Sequence, residues 1–391
     1  MKKISFLILL ALGSSVIIGN AQNPRKDQIE EPRSVKSDLV QETYSLIKQR
    51  YPDHVDDERL LSGAADGMLK SLDVFGEYLS RREFQEMQNE VKGEYGGVGL
   101  VIAGRGDFPT IVRVLSRSPS EQAGISEGDE VINVDGEDLF HKPINYAIER
   151  LRGPIGSQVA ITVKKKETRE VLGLRLERAK IKIESIRESR VIPAHIGYIK
   201  LVEYVENTHE DLGRALKQLK DSNIEMLILD LRNNMGGTLE SAVEVCQKFL
   251  PKGKLIVSTS GRLSKDQTSY YSNGESGEVS LPLVVLVNRI SASASEVVAS
   301  ALQDNGRARI VGEKTFGKGS VQTVFPLSEG SAIRLTTAHY VTPKGHIIDK
   351  KGIKPDIALV FPDEDELVKE VSEKRDSILE KTVEMINAKK I

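Results

Sequence analysis

An unbroken apolar run, Leu283-Val284-Val285-Leu286-Val287, passes through Asn288-Arg289-Ile290 into the small residues Ser291-Ala292-Ser293-Ala294-Ser295 and then Glu296. A short β-branched run without alternation reads as a strand covered on both faces, and such strands belong to sheets flanked by helices. The small residues and the glutamate predict a helix entered at about Glu296. A turn from strand to helix presents a hydroxyl at the positive end of a helix, where a nucleophile and an oxyanion are both favoured. Upstream the same alternation recurs: strand 196–201, helix 207–221, strand 226–231 and helix 239–249. This region therefore reads as an α/β layer.

Downstream stands Gly312-Glu313-Lys314-Thr315-Phe316-Gly317-Lys318-Gly319-Ser320-Val321-Gln322. Its spacing comes close to a phosphate-binding loop, but that loop needs Ser or Thr directly after the lysine, and Gly319 occupies the position. It must also run into a helix, whereas Ser-Val-Gln-Thr-Val-Phe alternates and is β-branched, so it reads as a strand. On a strand Lys318, Ser320 and Gln322 share one side. No acidic residue stands directly beside Lys318. A lysine serves as a general base only when desolvation lowers its pKa, which small apolar surroundings allow. With the serine turn, this suggests a serine–lysine hydrolase. The plainer alternative is close helix packing at Ser-Ala-Ser and a surface turn at Gly-Lys-Gly.

Other candidates are weaker. Gly124-Ile125-Ser126-Glu127-Gly128 fits a nucleophile-elbow pattern, but it lies between a short helix and the strand 130–134, so it reads as a turn. The six histidines show no metal-ligand spacing. His339 and His346 leave a Ser-His-Asp arrangement open, without local support. No metal, nucleotide or other cofactor is expected.

The chain has 391 residues, 39% hydrophobic and 29% charged, with a net charge of −2. That composition implies two or three globular domains, and no basic run points to nucleic acid. Residues 1–21 carry Lys2 and Lys3, an apolar core from Ile4 to Ile18 and small residues before Gln22. They read as an export signal cleaved after Ala21, with an uncleaved anchor as the alternative. An exported chain in the periplasm or cell envelope follows. The single cysteine, Cys246, excludes an intrachain disulfide and sits in an apolar helical run as a buried thiol.

These segments resemble the C-terminal processing peptidases, also called tail-specific proteases, in the pattern S-A-S-A-S-E and in T-F-G-K-G-x-x-Q. The resemblance implies Ser293 as nucleophile, Lys318 as base and Gln322 as the amide that orients the lysine. Asp230-Leu231-Arg232-Asn233-Asn234-Met235-Gly236-Gly237 resembles the family's D-L-R-x-N-x-G-G segment. By resemblance, the backbone N–H groups of Gly237 and Ala294 form the oxyanion hole. Ser71-Leu72-Asp73-Val74-Phe75-Gly76-Glu77-Tyr78-Leu79 resembles L-D-P-x-S-x-Y-L but has Val74 for the proline and Gly76 for the serine. That departure leaves the catalytic segments untouched.

The ordered elements of 91–178 resemble a PDZ domain, with Gly96, Gly97, Val98, Gly99 and Leu100 as the loop that would bind a substrate's terminal carboxylate. Successive backbone N–H groups can approach a carboxylate closely where glycine removes the side chain.

The expected organisation is a signal at 1–21, a linker at 22–34, a helical region at 35–90, the PDZ domain at 91–178, a protease core at 179–360 and a charged helix at 361–391. The fold class is α+β and multidomain. The resemblance implies a core layered like ClpP and the crotonases, protein substrates held by their C-terminal tails, and hydrolysis through an acyl-enzyme. The terminal helices are candidates for contacts in a homo-oligomer, and an adaptor is left open. Two competing classes keep parts of the pattern: a PDZ scaffold with a decayed core, and a hydrolase of small exported esters. Decay would be expected to remove Ser293 or Lys318, and a small ester would leave the PDZ domain without a task.

Overall fold

The computed structural model describes residues 16–18, 37–104, 106–274, 280–362 and 375–388. Most of the expected signal, the linker 22–34 and much of the charged C-terminal segment therefore lie outside the described residues.

The N-terminal part holds β1 (Val16–Ile18), α1 (Ser37–Arg50), α2 (Asp57–Lys70), β2 (Glu77–Leu79) and α3 (Arg81–Val91). Helix starts follow local chemistry. The Asp56 carboxylate accepts the Arg59 N–H at 2.8 Å, and Ser80 and Glu83 form a reciprocal capping box. The sequence pattern reads this stretch as helical throughout, yet β2 interrupts it. Only tertiary contact could decide that, because β2 pairs with a strand near the C-terminal end of the core.

The second unit comprises β3 (Glu94–Gly97), β4 (Leu100–Gly104), β5 (Pro109–Val114), α4 (Pro119–Gln122), β6 (Glu130–Val134) and β7 (Glu137–Asp138). It closes with α5 (Ile144–Leu151), β8 (Gln158–Lys164), β9 (Val171–Glu177) and β10 (Ala179–Lys182). Its sheet runs β4-β5-β6-β8-β9 around a core of its own that includes Ile111, Val131, Leu139, Val159 and Ile161. Strand β3 pairs instead with β10, which leads into the next unit.

The core contains β11 (Ile186–Ile192), β12 (Ile196–Leu201), α6 (Thr208–Asp221), β13 (Met226–Asp230), α7 (Leu239–Gln247), β14 (Leu255–Gly261) and β15 (Ser269–Tyr271). It continues with β16 (Leu283–Val287), α8 (Ala294–Asp304), β17 (Arg309–Gly312), β18 (Ser320–Pro326), β19 (Ala332–Val341) and β20 (Ile357–Ala358), and α9 (Ser377–Asn387) follows. One sheet runs β11-β12-β13-β16-β17-β20, parallel except where β11 meets β12. Helices α6, α7 and α8 contribute to the cluster on one face, and α9 packs Leu379, Val383 and Ile386 on the other. Cover on both faces explains why β16 is apolar at every position.

A second sheet, β1-β18-β19-β14-β15 with β2 added to β19, was only partly visible in the sequence, through β18. Val321, Ala338, Tyr340, Ile256 and Val257 of this sheet enter the same cluster as α7 and α8. Strand β1 lies parallel to β18 with Val16 opposite Gln322, so the β18 edge accepts an extended chain. Cys246 is buried, and burial pushes its thiol well above the ordinary range, which leaves it inert.

Candidate active site

Strand β16 delivers the chain to the serine turn, and Ser293 is the N-cap of α8 with φ 57° and ψ −117°. A non-glycine residue rarely occupies this region, and holding it there costs about 1–3 kcal/mol. The surroundings enforce it. The Ser293 N–H donates to Glu296 Oε2 at 2.9 Å, and the Val297 N–H donates to the Ser293 carbonyl at 3.0 Å. The neighbouring hydroxyls have structural duties: Ser291 donates to the Leu231 carbonyl at 2.8 Å and Ser295 to the Asn234 carbonyl at 3.0 Å. They pin the serine turn to the turn after β13.

Glu296 joins the two halves of the site. It is 0% exposed, and its carboxylate accepts four hydrogen bonds. These come from Ser293 N–H at 2.9 Å, Thr315 Oγ1 at 2.6 Å, Gly317 N–H at 2.7 Å and Lys318 N–H at 2.8 Å. Burial pushes the carboxyl above its ordinary range while the four donors pull it down. Reading from sequence missed this role, although a glutamate three places after the helix N-cap is the signal of a capping box.

Lys318 lies two residues before β18 and is 3% exposed. Burial lowers its amine to about 8, against an upward pull from Glu296. Gly319 precedes the strand because its backbone presses on the loop after β19. A Cβ there would stand 2.0 Å from the Asp349 nitrogen. Along β18 the Gln322 amide donates to Ser320 Oγ at 2.9 Å and Thr336 Oγ1 at 3.2 Å. Its Oε1 is buried and accepts no hydrogen bond among the described residues. His339 stands opposite Ser320 on β19, about half exposed, with Nδ1 3.9 Å from Asp349.

The turn after β13 packs against the serine turn. Gly236 lies so close that a Cβ would meet Ala292 O at 2.9 Å, Ser293 Cβ at 2.9 Å and Ala294 N at 3.0 Å. Gly237 has φ 144°, and a Cβ there would stand 1.9 Å from the Tyr204 carbonyl oxygen. Neither the Gly237 nor the Ala294 N–H donates to another described residue. The turn is anchored by charge. Asp230 is fully buried, and although burial would raise its carboxyl, Arg232 and Lys200 hold it well below the carboxylate range. Arg232 also reaches Asp376, the N-cap of α9, at 2.9 and 2.6 Å.

The loop expected to bind a terminal carboxylate spans β3 and the start of β4. Gly96 faces the Gly153 carbonyl, Gly97 pairs with Ala179, and the Gly99 carbonyl accepts the Leu115 N–H at 2.9 Å. Val98 is buried in the core of this unit, and Leu100 packs partly buried against it. The element around Phe75 comes close to the lysine segment, a contact the sequence did not indicate. The Phe75 ring centroid is 5.0 Å from Lys318 Nζ.

Three family descriptions match: peptidase family S41 over residues 195–359, a PDZ domain over 110–165, and the N-terminal domain of the activating protease CtpB over 11–82. The carboxy-terminal-processing protease of Bartonella bacilliformis is 34% identical over 360 residues, which is 90% of this chain and 80% of that one. The carboxy-terminal processing protease CtpB of Bacillus subtilis is 34% identical over 343 residues, or 87% of this chain and 71% of that one. Among solved structures, a photosystem II D1 C-terminal processing protease superposes with a TM-score of 0.51 at 30% identity, covering 83% of this chain and 93% of that one. The chain belongs to peptidase family S41 and is a serine-type peptidase of the carboxy-terminal processing kind.

Proposed function

We propose that the protein is an exported endopeptidase that reads the C-terminal tails of protein substrates through its PDZ domain and cuts them with a Ser293–Lys318 pair. The observation that carries this reading is the buried Glu296, which binds the serine turn and the lysine segment into one unit. The neutral Lys318 amine takes the Ser293 proton as Oγ bonds to the peptide carbonyl carbon. The resulting oxyanion is stabilised by the Gly237 and Ala294 N–H groups, each worth about 2.7–4 kcal/mol. Collapse breaks the C–N bond, and the lysine returns its proton to the departing amine. Water, deprotonated by the same lysine, then releases the acyl group. Gln322 Oε1, a buried acceptor, is suited to orient the amine. No metal or nucleotide takes part in these steps. The core layering is taken to be of the ClpP and crotonase kind.

Export rests on residues 1–21, with cleavage after Ala21 or retention as an anchor, and places the enzyme in the periplasm or envelope. The exposed apolar residues Leu39, Leu46, Leu61 and Met68 of α1 and α2 suit contact between copies. An adaptor stays open.

The sign of the pH dependence follows from the base. Protonated below its pKa, Lys318 cannot accept the serine proton, so kcat/KM should rise as pH passes through about 8 and level off above it. A rate flat from pH 6 to 10, with fold and substrate intact, would remove lysine from the role. Tail reading has its own test. An unfolded substrate ending in an apolar residue should be cleaved faster than the same substrate amidated at its C-terminus, as read by gel. Equal rates would leave a protease whose PDZ domain has another task.

A further inference from the structure

The element from Ser71 to Leu79 enters the core from a different part of the chain, and its geometry is tightly specified. Asp73 Oδ1 accepts the N–H groups of Phe75 and Gly76 at 2.8 and 2.9 Å, which turns the chain. Immediately after, β2 pairs antiparallel with β19, with Leu79 opposite Ala332 and Glu77 opposite Arg334, and these last two also form an ion pair. Strand β19 in turn pairs with β18, whose first residue follows the lysine by two. This chain of contacts carries the half-buried Phe75 ring to 5.0 Å from Lys318 Nζ.

We propose that Phe75 is a positioning residue for the Lys318 amine: its ring covers the amine, keeps water from it and so maintains it as a neutral base. The inference rests on the reading of Lys318 as the base and adds a residue outside the peptidase segment, which spans 195–359. Two effects of an aromatic ring oppose each other here. A ring near an ammonium attracts the charged form, whereas removal of water disfavours it. Burial is the largest influence on the amine and lowers it to about 8, and a ring centroid 5.0 Å away adds to that burial. With the centroid 5.0 Å away and Lys318 only 3% exposed, both effects act on the amine, and the direction of the midpoint shift on removing the ring tells which is the larger.

Charged groups near the amine come from several of the described elements. Glu296 of α8 pulls the amine upward. His339 on β19 and Asp349 in the following loop stand beside Ser320 and Gly319. On the Phe75 side Asp73 is engaged by backbone N–H groups and Glu77 by Arg334. The ring is therefore the apolar part of the surroundings that a substitution can remove without deleting a charge.

The test uses the full chain and the pH profile of kcat/KM for wild type, Phe75→Ala, Phe75→Gln and Phe75→Leu. A second readout is the pH dependence of Ser293 labelling by a small fluorophosphonate, which does not depend on tail binding. Phe75→Ala and Phe75→Gln should move the midpoint upward by about one pH unit. At neutral pH that is about a ten-fold lower rate. Phe75→Leu, which keeps an apolar cover, should stay near wild type. If Phe75→Ala fails to fold, Phe75→Gln carries the comparison. A midpoint unchanged in the folded Ala or Gln variant, with activity lost, would reduce Phe75 to a packing role and overturn the proposal. A downward shift would overturn it too, because the ring would then be attracting the cation. A wild-type profile without a lysine limb would sink the base assignment itself, so the two failures can be told apart.

Discussion

Ser293→Ala and Lys318→Ala are each expected to lower proteolysis by about 10⁴-fold or more, with the fold intact, while Gln322→Ala impairs it less completely. Neither substitution deletes the backbone N–H that binds Glu296 at its position. Ser293→Ala removes one oxygen from a turn held by its backbone, through the Ser293 N–H and carbonyl. Lys318→Ala removes a buried amine whose charged form burial already disfavours. The thermal midpoint should therefore stay within a few degrees of wild type, and a melt monitored by circular dichroism checks this. In a serine–lysine pair the effects should not add. The double variant should be about as inactive as either single one, because nucleophile and base act as a unit. Cleavage by Ser293→Ala at the wild-type rate would dismiss the nucleophile assignment. It would return attention to Ser291 and Ser295, whose hydroxyls are bound to backbone carbonyls here.

Glu296→Ala should be the most damaging of the buried substitutions for stability as well as activity. It strands the Ser293, Gly317 and Lys318 N–H groups and the Thr315 hydroxyl in a site closed to water. The expected cost is about 3–5 kcal/mol, a large share of a typical domain's stability. A urea melt would read it as a lower midpoint at similar slope. Glu296→Gln separates charge from shape. Its amide nitrogen would face donors, so a loss of stability is still expected. Because the carboxylate raises the Lys318 amine, its removal should lower that amine further and move the remaining pH–rate midpoint toward acid. That direction is opposite to the shift expected for Phe75→Ala. An alkaline shift, or none, would mean that Glu296 exerts no appreciable field on the lysine and serves only as a bracket.

Arg232 shows how the same logic extends away from the reacting atoms. It compensates the buried Asp230 charge and simultaneously grips Asp376 at the start of α9. The C-terminal helix is thereby tied to the turn that carries Gly236 and Gly237. A buried charge with one partner removed is costly, so this contact is expected to hold the turn in a single arrangement.

What the sequence determined by itself was the local part of this protein. Strand β16, helix α8, strand β18 and the elements of the PDZ domain follow from period, breakers and glycine placement within short windows, and those signals need no distant partner. The serine turn and the glycine-flanked lysine were legible for the same reason, as contiguous patterns. Tertiary structure decided whatever depends on residues far apart meeting. Strand β2 lies among helices in the chain and forms only because β19 offers it an edge. Glu296 reads as a helix-start residue until the lysine segment folds onto its carboxylate. Phe75 has no local pattern linking it to Lys318, since side-chain period says nothing about which ring will cover which amine. Sequence can supply a lysine in small surroundings, but the removal of water that lowers its amine is a property of the packed site.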